Sequence, residues 1–232
     1  MRALGRSRKG TESTRVPEPL EEEVEMAKRR GTRNWMAEHV RDPYVQKAQV
    51  DGYRSRATYK LLELDEKHRL LRIGMTVVDL GAAPGGWSQL AASRVGASGM
   101  VVALDRLAME PVEGVRVLEA DFEEESGLAA LLEALPDGQA DLVMSDMSPN
   151  ISGVRGADQA RSSALAELAL DLTEQVLRPG GALVVKLFHG EGFDAWVAAA
   201  RKRFRRVAVR KPGASRSRSR EAYAVCEDFR GT

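Results

Sequence analysis

Residues 75–87 read Met75-Thr76-Val77-Val78-Asp79-Leu80-Gly81-Ala82-Ala83-Pro84-Gly85-Gly86-Trp87. The first six form a short apolar run containing β-branched residues, which predicts a buried strand. Small residues and a proline follow, and the pattern from about Trp87 to Arg94 predicts a helix. A strand that leaves through a small-residue turn into a helix is the opening unit of a wound α/β sheet. Small residues let a ligand approach the backbone closely, and the helix offers its first amides to it.

Outward from this loop, strands and helices alternate. The spacing predicts a helix over Ala57 to Leu71 and strands at Met100 to Leu104 and Val115 to Leu118. A helix over Gly127 to Leu135 leads to a buried strand at Asp141 to Met144. An amphipathic helix from Ser162 to Leu177 stops at Pro179-Gly180-Gly181. Ala182 to Leu187 reads as a strand, Phe193 to Phe204 as a helix, and Val207 to Val209 and Glu221 to Val225 as the last strands. These seven strands predict an α/β fold with a doubly wound, mostly parallel sheet and helices on both faces. Ligands of such sheets bind outside the carboxyl ends of the strands.

Composition narrows the classes. A length of 232 residues suits one domain with an appendage. The single cysteine, Cys226, excludes an intramolecular disulfide framework, and with only three histidines it argues against a structural zinc site. No apolar stretch approaches the roughly 18–20 residues that span a bilayer. The N-terminus has no apolar core like that of a signal peptide, so a soluble cytoplasmic protein is expected. Residues 1–33 mix charge, Ser, Thr and Pro without apolar periodicity and read as a disordered tail, leaving 34–232 as the folded domain.

Charge is balanced overall, with 35 Lys+Arg against 34 Asp+Glu, but segregated along the chain. Nine acidic and no basic residues lie between Glu119 and Asp146, and ten basic and no acidic ones between Arg201 and Arg220. The basic stretch reads as a solvated face or as the footprint of a polyanion.

Candidate functional residues stand at the strand ends. A dinucleotide cradle would need glycine at the first, third and sixth loop positions; here the third is Ala83, and Pro84 stiffens the turn. The loop suits a nucleoside-bearing ligand without a pyrophosphate, such as S-adenosylmethionine. Asp105 ends the second strand, where a carboxylate can accept from ribose hydroxyls. Asp121 follows the third, placed to accept from an adenine amino group, although either Asp alone could be a cap or turn residue. Asp146 follows the fourth strand. Lys186 ends the fifth, either snorkelling to the surface or paired with Asp146 and facing the ligand.

Several segments, in order, resemble the FtsJ-like family of ribosomal RNA large-subunit 2′-O-methyltransferases. They are Arg54-Ser55-Arg56-Ala57 with Lys60, Thr76 to Gln89, Ser145 to Asn150 with Ser152-Gly153, Val184 to Lys186, Gly190 to Asp194, Arg210-Lys211-Pro212, and Ser215 to Tyr223. The similarity covers about Asn34 to Val225. It implies the fold of S-adenosylmethionine-dependent methyltransferases and a catalytic set of Lys60, Asp146, Lys186 and Glu221. The cofactor contacts it implies are Gly85, Trp87, Asp105, Asp121 and Asp146, with no metal. The implied substrate is a uridine ribose of 23S RNA, in the large ribosomal subunit or a late precursor, modified by a monomer. The family more often has Ala where Ser148 stands.

The residue types fit that chemistry. Transfer of a methyl group to a ribose 2′-hydroxyl needs the weakly acidic oxygen oriented and its developing charge stabilised or its proton accepted. A lysine ammonium does the first directly. The resemblance assigns Lys186 as proton acceptor; the residues alone support orientation and activation. Backbone contacts to RNA are expected from Arg54, Arg56, Lys211, Arg216, Arg218 and Arg220. Rival readings lack their residues. An N6-adenine methyltransferase would carry Pro-Pro-aromatic where Met147-Ser148-Pro149-Asn150 stands, and Cys226 lacks the context of a cytosine C5 nucleophile. A non-catalytic RNA-binding module would keep the basic stretch and lose the charged tetrad. A 2′-O-methyltransferase of tRNA or another RNA remains open.

Overall fold

The structure, a computed structural model, describes residues 42–149 and 152–231. The tail read over residues 1–33 lies outside them. In chain order the elements are α1 (Pro43–Val50), α2 (Thr58–His68), β1 (Thr76–Leu80), α3 (Gly86–Val95), β2 (Met100–Asp105), β3 (Val115–Glu119), α4 (Glu125–Ala134), β4 (Ala140–Ser145), α5 (Arg155–Val176), β5 (Leu177–Phe188), α6 (Phe193–Arg203), β6 (Phe204–Arg210) and β7 (Glu221–Phe229). The strands form one sheet in the order β3-β2-β1-β4-β5-β7-β6. Pairings from β3 through β5 are parallel, and β7 runs antiparallel to both β5 and β6. The strand order reverses between β1 and β4, which opens a crevice at their carboxyl ends.

Helices cover both faces, as side-chain alternation along the strands requires. On one face Val78, Leu80, Val102, Leu104, Val143, Leu183 and Val185 pack against Leu131, Leu170 and Trp196. On the other, Val77, Val101, Leu142, Met144, Val184, Tyr223 and Val225 pack against Leu61, Leu64, Trp87 and Leu90 from α2 and α3. Consecutive β1 residues such as Val77 and Val78 thus serve opposite cores, so the whole strand is buried.

Several boundaries differ from the sequence reading; β6 begins at Phe204 and β7 runs on to Phe229, where the two strands pair. The helix predicted to Leu71 ends at His68, because Arg69 adopts a left-handed conformation (φ 54°) and the Asp65 carboxylate accepts the Leu71 amide at 2.8 Å. Leu70 and Leu71 are buried beyond the helix, which mimics helical periodicity. α5 starts at Arg155 rather than Ser162. β5 begins at Leu177, ahead of the Pro-Gly-Gly sequence. A register shift between the Ala140–Leu177 and Leu142–Ala182 pairs absorbs those residues as an irregularity in the strand. The helix α1 was not read from the sequence.

A close approach ties α4 to the end of β3. A Cβ on Gly127 would lie 2.0 Å from the Asp121 carbonyl oxygen. Gly127→Ala is therefore expected to destabilise the fold by about 1–3 kcal/mol, the usual cost of forced overpacking. Urea denaturation measures it.

Candidate active site

The register of the sheet builds the site. In the β4–β5 ladder Ser145 lies beside Val185, so Asp146, just past the end of β4, comes beside Lys186, which is still within β5. In the antiparallel β5–β7 ladder Lys186 lies opposite Tyr223 and Phe188 opposite Glu221. Alternation gives Lys186 the same face as Val184, and Glu221 and Tyr223 the same face as Val225. That face is covered by α2, which carries Lys60. Four elements thus bring one charged cluster together, and Lys60, Lys186 and Glu221 are each only 8% exposed.

Asp146 is its centre. Its Oδ1 lies 2.8 Å from Lys186 Nζ and 3.8 Å from Lys60 Nζ, and accepts a 2.5 Å hydrogen bond from the Tyr223 hydroxyl. Lys60 Nζ in turn lies 3.1 Å from Glu221 Oε1 and donates to the Tyr223 oxygen at 2.8 Å. Burial alone would raise the carboxyl pKa of Asp146, but the charges of Lys186 and Lys60 and the hydrogen bonds from Lys186 and Tyr223 outweigh it and hold it below the ordinary carboxylate value. Tyr223 moves the other way: burial and the neighbouring Asp146 and Glu221 charges raise its phenol well above 10, so it stays a donor. Tyr223 was not among the site residues read from the sequence. The alternation Glu221-x-Tyr223 is the signal that points to it.

The glycine loop faces the same crevice. Gly85 caps α3 with φ 99°, and a Cβ there would lie 2.9 Å from Met109 Sδ and 3.1 Å from Val112 Cγ2. Asp105, half-buried, accepts from the Ala83 amide at 2.9 Å and the Leu107 amide at 2.8 Å, which ties the loop to the end of β2. Asp121 accepts from the Glu123 amide at 3.0 Å and lies 3.5 Å from Arg106 Nη1. Asp79, on the α3 face of β1, accepts from Ser88 Oγ at 2.5 Å. Burial, reinforced by the charges of Asp146 and Asp105, pushes its pKa up to about 7. Trp87 turns its ring into the core, 5.9 Å from Tyr223, and its indole N–H donates to the Ala57 carbonyl at 2.8 Å. Only its backbone remains for a ligand at the helix N-terminus.

The six basic candidates separate into two groups. Arg54 donates to the carbonyls of Pro84 (3.3 Å), Glu110 (2.6 Å) and Pro111 (2.5 Å), clamping the glycine loop to the β2–β3 connection. Arg56 donates to the Ala214 carbonyl and packs 5.7 Å from the Tyr44 ring. Glu63 accepts from the Gly213 and Ala214 amides at 2.6 and 2.9 Å, so α2 anchors the loop that precedes β7. Lys211 Nζ donates to Ser219 O at 2.7 Å within that loop. Arg218 and Arg220 are exposed on it, and Arg216 is half-buried.

A mostly parallel sheet with a glycine loop at its switch point, and a buried Lys–Asp–Lys–Glu cluster drawn from neighbouring strands and their covering helix, defines an α/β group-transfer enzyme of the wound-sheet class. The model of the FtsJ-like methyltransferase family matches residues 53–229. The chain belongs to that family. It is 54% identical over 206 residues to the ribosomal RNA large subunit methyltransferase E of Pseudomonas aeruginosa, covering 89% of this chain and all of that one. With the protein of the same name from Alkalilimnicola ehrlichii it shares 57% identity over 202 residues, 87% of this chain and 97% of the relative. A solved Plasmodium falciparum structure, assigned as a ribosomal RNA methyltransferase, superposes with a TM-score of 0.70 at 28% identity, over 78% of this chain and all of that one. Among the described residues no helix is long and apolar enough to cross a membrane.

Because the folded Asp146 pKa lies below 3.8, its contribution to stability is present above the unfolded carboxylate value and is lost as the pH falls through the folded one. Asp146→Asn removes the carboxylate that faces the buried Lys186 ammonium and is expected to cost about 3–5 kcal/mol at pH 7. The gap in melting temperature between the two proteins should close as the pH drops below about 4.

Proposed function

We propose that the chain transfers a methyl group from S-adenosylmethionine to the 2′-hydroxyl of a uridine ribose in 23S RNA of the large ribosomal subunit, as a cytoplasmic monomer. The observation that carries the reading is the Lys186 ammonium buried against Asp146 beside the glycine loop. The names of the relatives support the choice of RNA.

The site fits the cofactor. Gly81 and Gly85 both have positive φ, and at Gly85 any side chain would collide with the connection after β2. Asp79, Asp105 and Asp146 crowd carboxyl groups at the crevice, and burial, with the charges of Asp146 and Asp105 added, keeps Asp79 from ionising below about pH 7. A ligand carrying sulfonium and ammonium charges relieves that crowding. Asp105 and Asp121, at successive strand ends, stand where the ribose and adenine would lie, with the amides of Gly86 and Trp87 at the start of α3. When bound, this cofactor supplies an electrophilic methyl group.

Lys186 orients the acceptor hydroxyl and stabilises the charge that develops on its oxygen. All three of its protons have acceptors, so as it stands it is a donor; the role of proton acceptor would require it to lose one first. Asp146 holds it in place, and Lys60, Glu221 and Tyr223 hold Asp146. Backbone contacts to RNA are offered by Arg218 and Arg220, exposed on the loop before β7, with Arg216 beside them, while Arg54, Arg56 and Lys211 also donate to protein carbonyls.

In a strain lacking the gene, the wild-type chain should restore the 2′-O-methyl mark in large-subunit RNA and Lys186→Ala should not. In vitro that variant is expected to lose about 10²-fold or more in turnover with cofactor affinity within a few fold of wild type. Asp105→Ala should do the reverse, weakening cofactor binding by about 1.5–3 kcal/mol by calorimetry. Turnover by Lys186→Ala above about a tenth of wild type would overturn its role.

Replacing Arg216 and Arg218 with Glu should weaken RNA binding and flatten its salt dependence by about 0.7–0.9 in log–log slope for each phosphate that is no longer neutralised. Filter binding across a salt series measures both quantities.

A further inference from the structure

Lys186 Nζ donates to the Asp146 carboxylate at 2.8 Å, the Asp146 main-chain carbonyl at 2.6 Å and Ser148 Oγ at 2.9 Å. An ammonium has three protons, so a hydroxyl arriving at this nitrogen must replace one of the three. The carboxylate is itself gripped by Tyr223 and Lys60, and the carbonyl belongs to the backbone leaving β4. Ser148 differs from both. It is exposed, and its oxygen sits on a single rotatable side-chain bond.

Ser148 also opens onto space. Of the two residues that accept from Lys186, only Ser148 lines a cavity of about 240 Å³, with Gln159, Phe188, Arg218, Arg220 and Asp158, whose carboxylate accepts from Ser152 and the Gly153 amide. Two guanidinium groups suit phosphate, and an aromatic side chain suits a base face. The walls are tied together without a ligand. The Gln159 amide donates to the Phe188 and Glu191 carbonyls, both at 3.3 Å, and its oxygen accepts from Arg220 at 3.5 Å. A preformed cavity with convergent polar groups is the ordinary form of a binding site.

We propose that this cavity receives the acceptor nucleotide and that Ser148 Oγ holds, in the free protein, the place on Lys186 that the ribose 2′-hydroxyl takes over. The inference rests on the reading of the chain as a ribose methyltransferase. Ser148 is then a positioning residue. It keeps the third proton of a buried ammonium satisfied and leaves by rotation when a second hydroxyl of the same chemistry arrives.

The test uses the full chain, S-adenosylmethionine and large ribosomal subunits from a strain lacking the gene, in single-turnover reactions. Ser148→Ala removes the competing hydroxyl without adding bulk. Its half-saturating subunit concentration should fall by about twofold to tenfold, the net worth of one hydrogen bond. Ser148→Val places a branched side chain at the mouth of the cavity, and half-saturation should rise by about tenfold or more. Ser148→Thr keeps the hydroxyl and adds only a methyl group, so it should rise as well, which guards against misfolding of the Val variant. Cofactor affinity, measured by calorimetry, should not follow this order.

Val and Thr variants that saturate like wild type would place the acceptor elsewhere and overturn the proposal. An Ala variant as weak as Val would show that the hydroxyl serves the reaction itself, which overturns the placeholder role. A wild-type chain that leaves the subunits unmethylated would bring down the ribose-transfer reading, and this inference with it. Variants that depart from the expected order on an active wild type would sink the cavity assignment alone.

Discussion

The Asp146 carboxylate carries a negative charge into a largely buried position at the end of β4, and the elements around it are arranged to hold that charge. Lys186 reaches it from β5, Lys60 from α2 and Tyr223 from β7. Each of these partners is itself buried, so none could exist in its place without the others. An ion pair of this kind adds little net stability compared with an apolar core, yet breaking it is expensive because it leaves a charge unpaired. The cluster is therefore a cooperative unit. It joins two parallel strands, an antiparallel strand and a covering helix, and it is complete only when all four are docked.

The same arrangement explains why the site is placed where it is. Lys186 and Tyr223 face each other across the β5–β7 ladder because β7 runs antiparallel. Were β7 one residue out of register, Tyr223 and Glu221 would turn to the opposite core and Lys60 would lose its two partners on β7. The basic loop before β7 is fastened by Glu63 to α2, the helix that also carries Lys60, and by Arg56 to the segment just before it. The surface offered to a polyanion and the charged centre beneath it are thus held by one helix.

A second charge pattern works against the first. Asp79 and Asp105 stand on the glycine-loop side of the crevice, and burial, with the charges of Asp146 and Asp105 added, keeps Asp79 protonated up to about pH 7. Carboxyl groups on the glycine-loop side and pinned ammonium groups on the other give the crevice a polarity.

The chain by itself determined the fold class, because seven apolar runs alternating with helical patterns have one economical arrangement. Asp105, Asp121, Asp146 and Lys186 were legible as site candidates because they stand near strand ends, whereas Lys60, on α2, and Glu221, at the start of β7, were reached only through the family resemblance. Local sequence could not show that Arg69 turns left-handed and ends α2, since Leu70 and Leu71 continue a helical rhythm while belonging to the core. Nor could it show that Arg54 spends its guanidinium on the carbonyls of Pro84, Glu110 and Pro111, that Trp87 faces inward, or that Tyr223 and Ser148 complete the shells of Asp146 and Lys186. Those contacts join residues far apart in the chain. They depend on strand register and on which face of the sheet a helix covers, and only the packed tertiary structure sets these, because charge and periodicity are properties of a segment whereas a partner is a property of the fold.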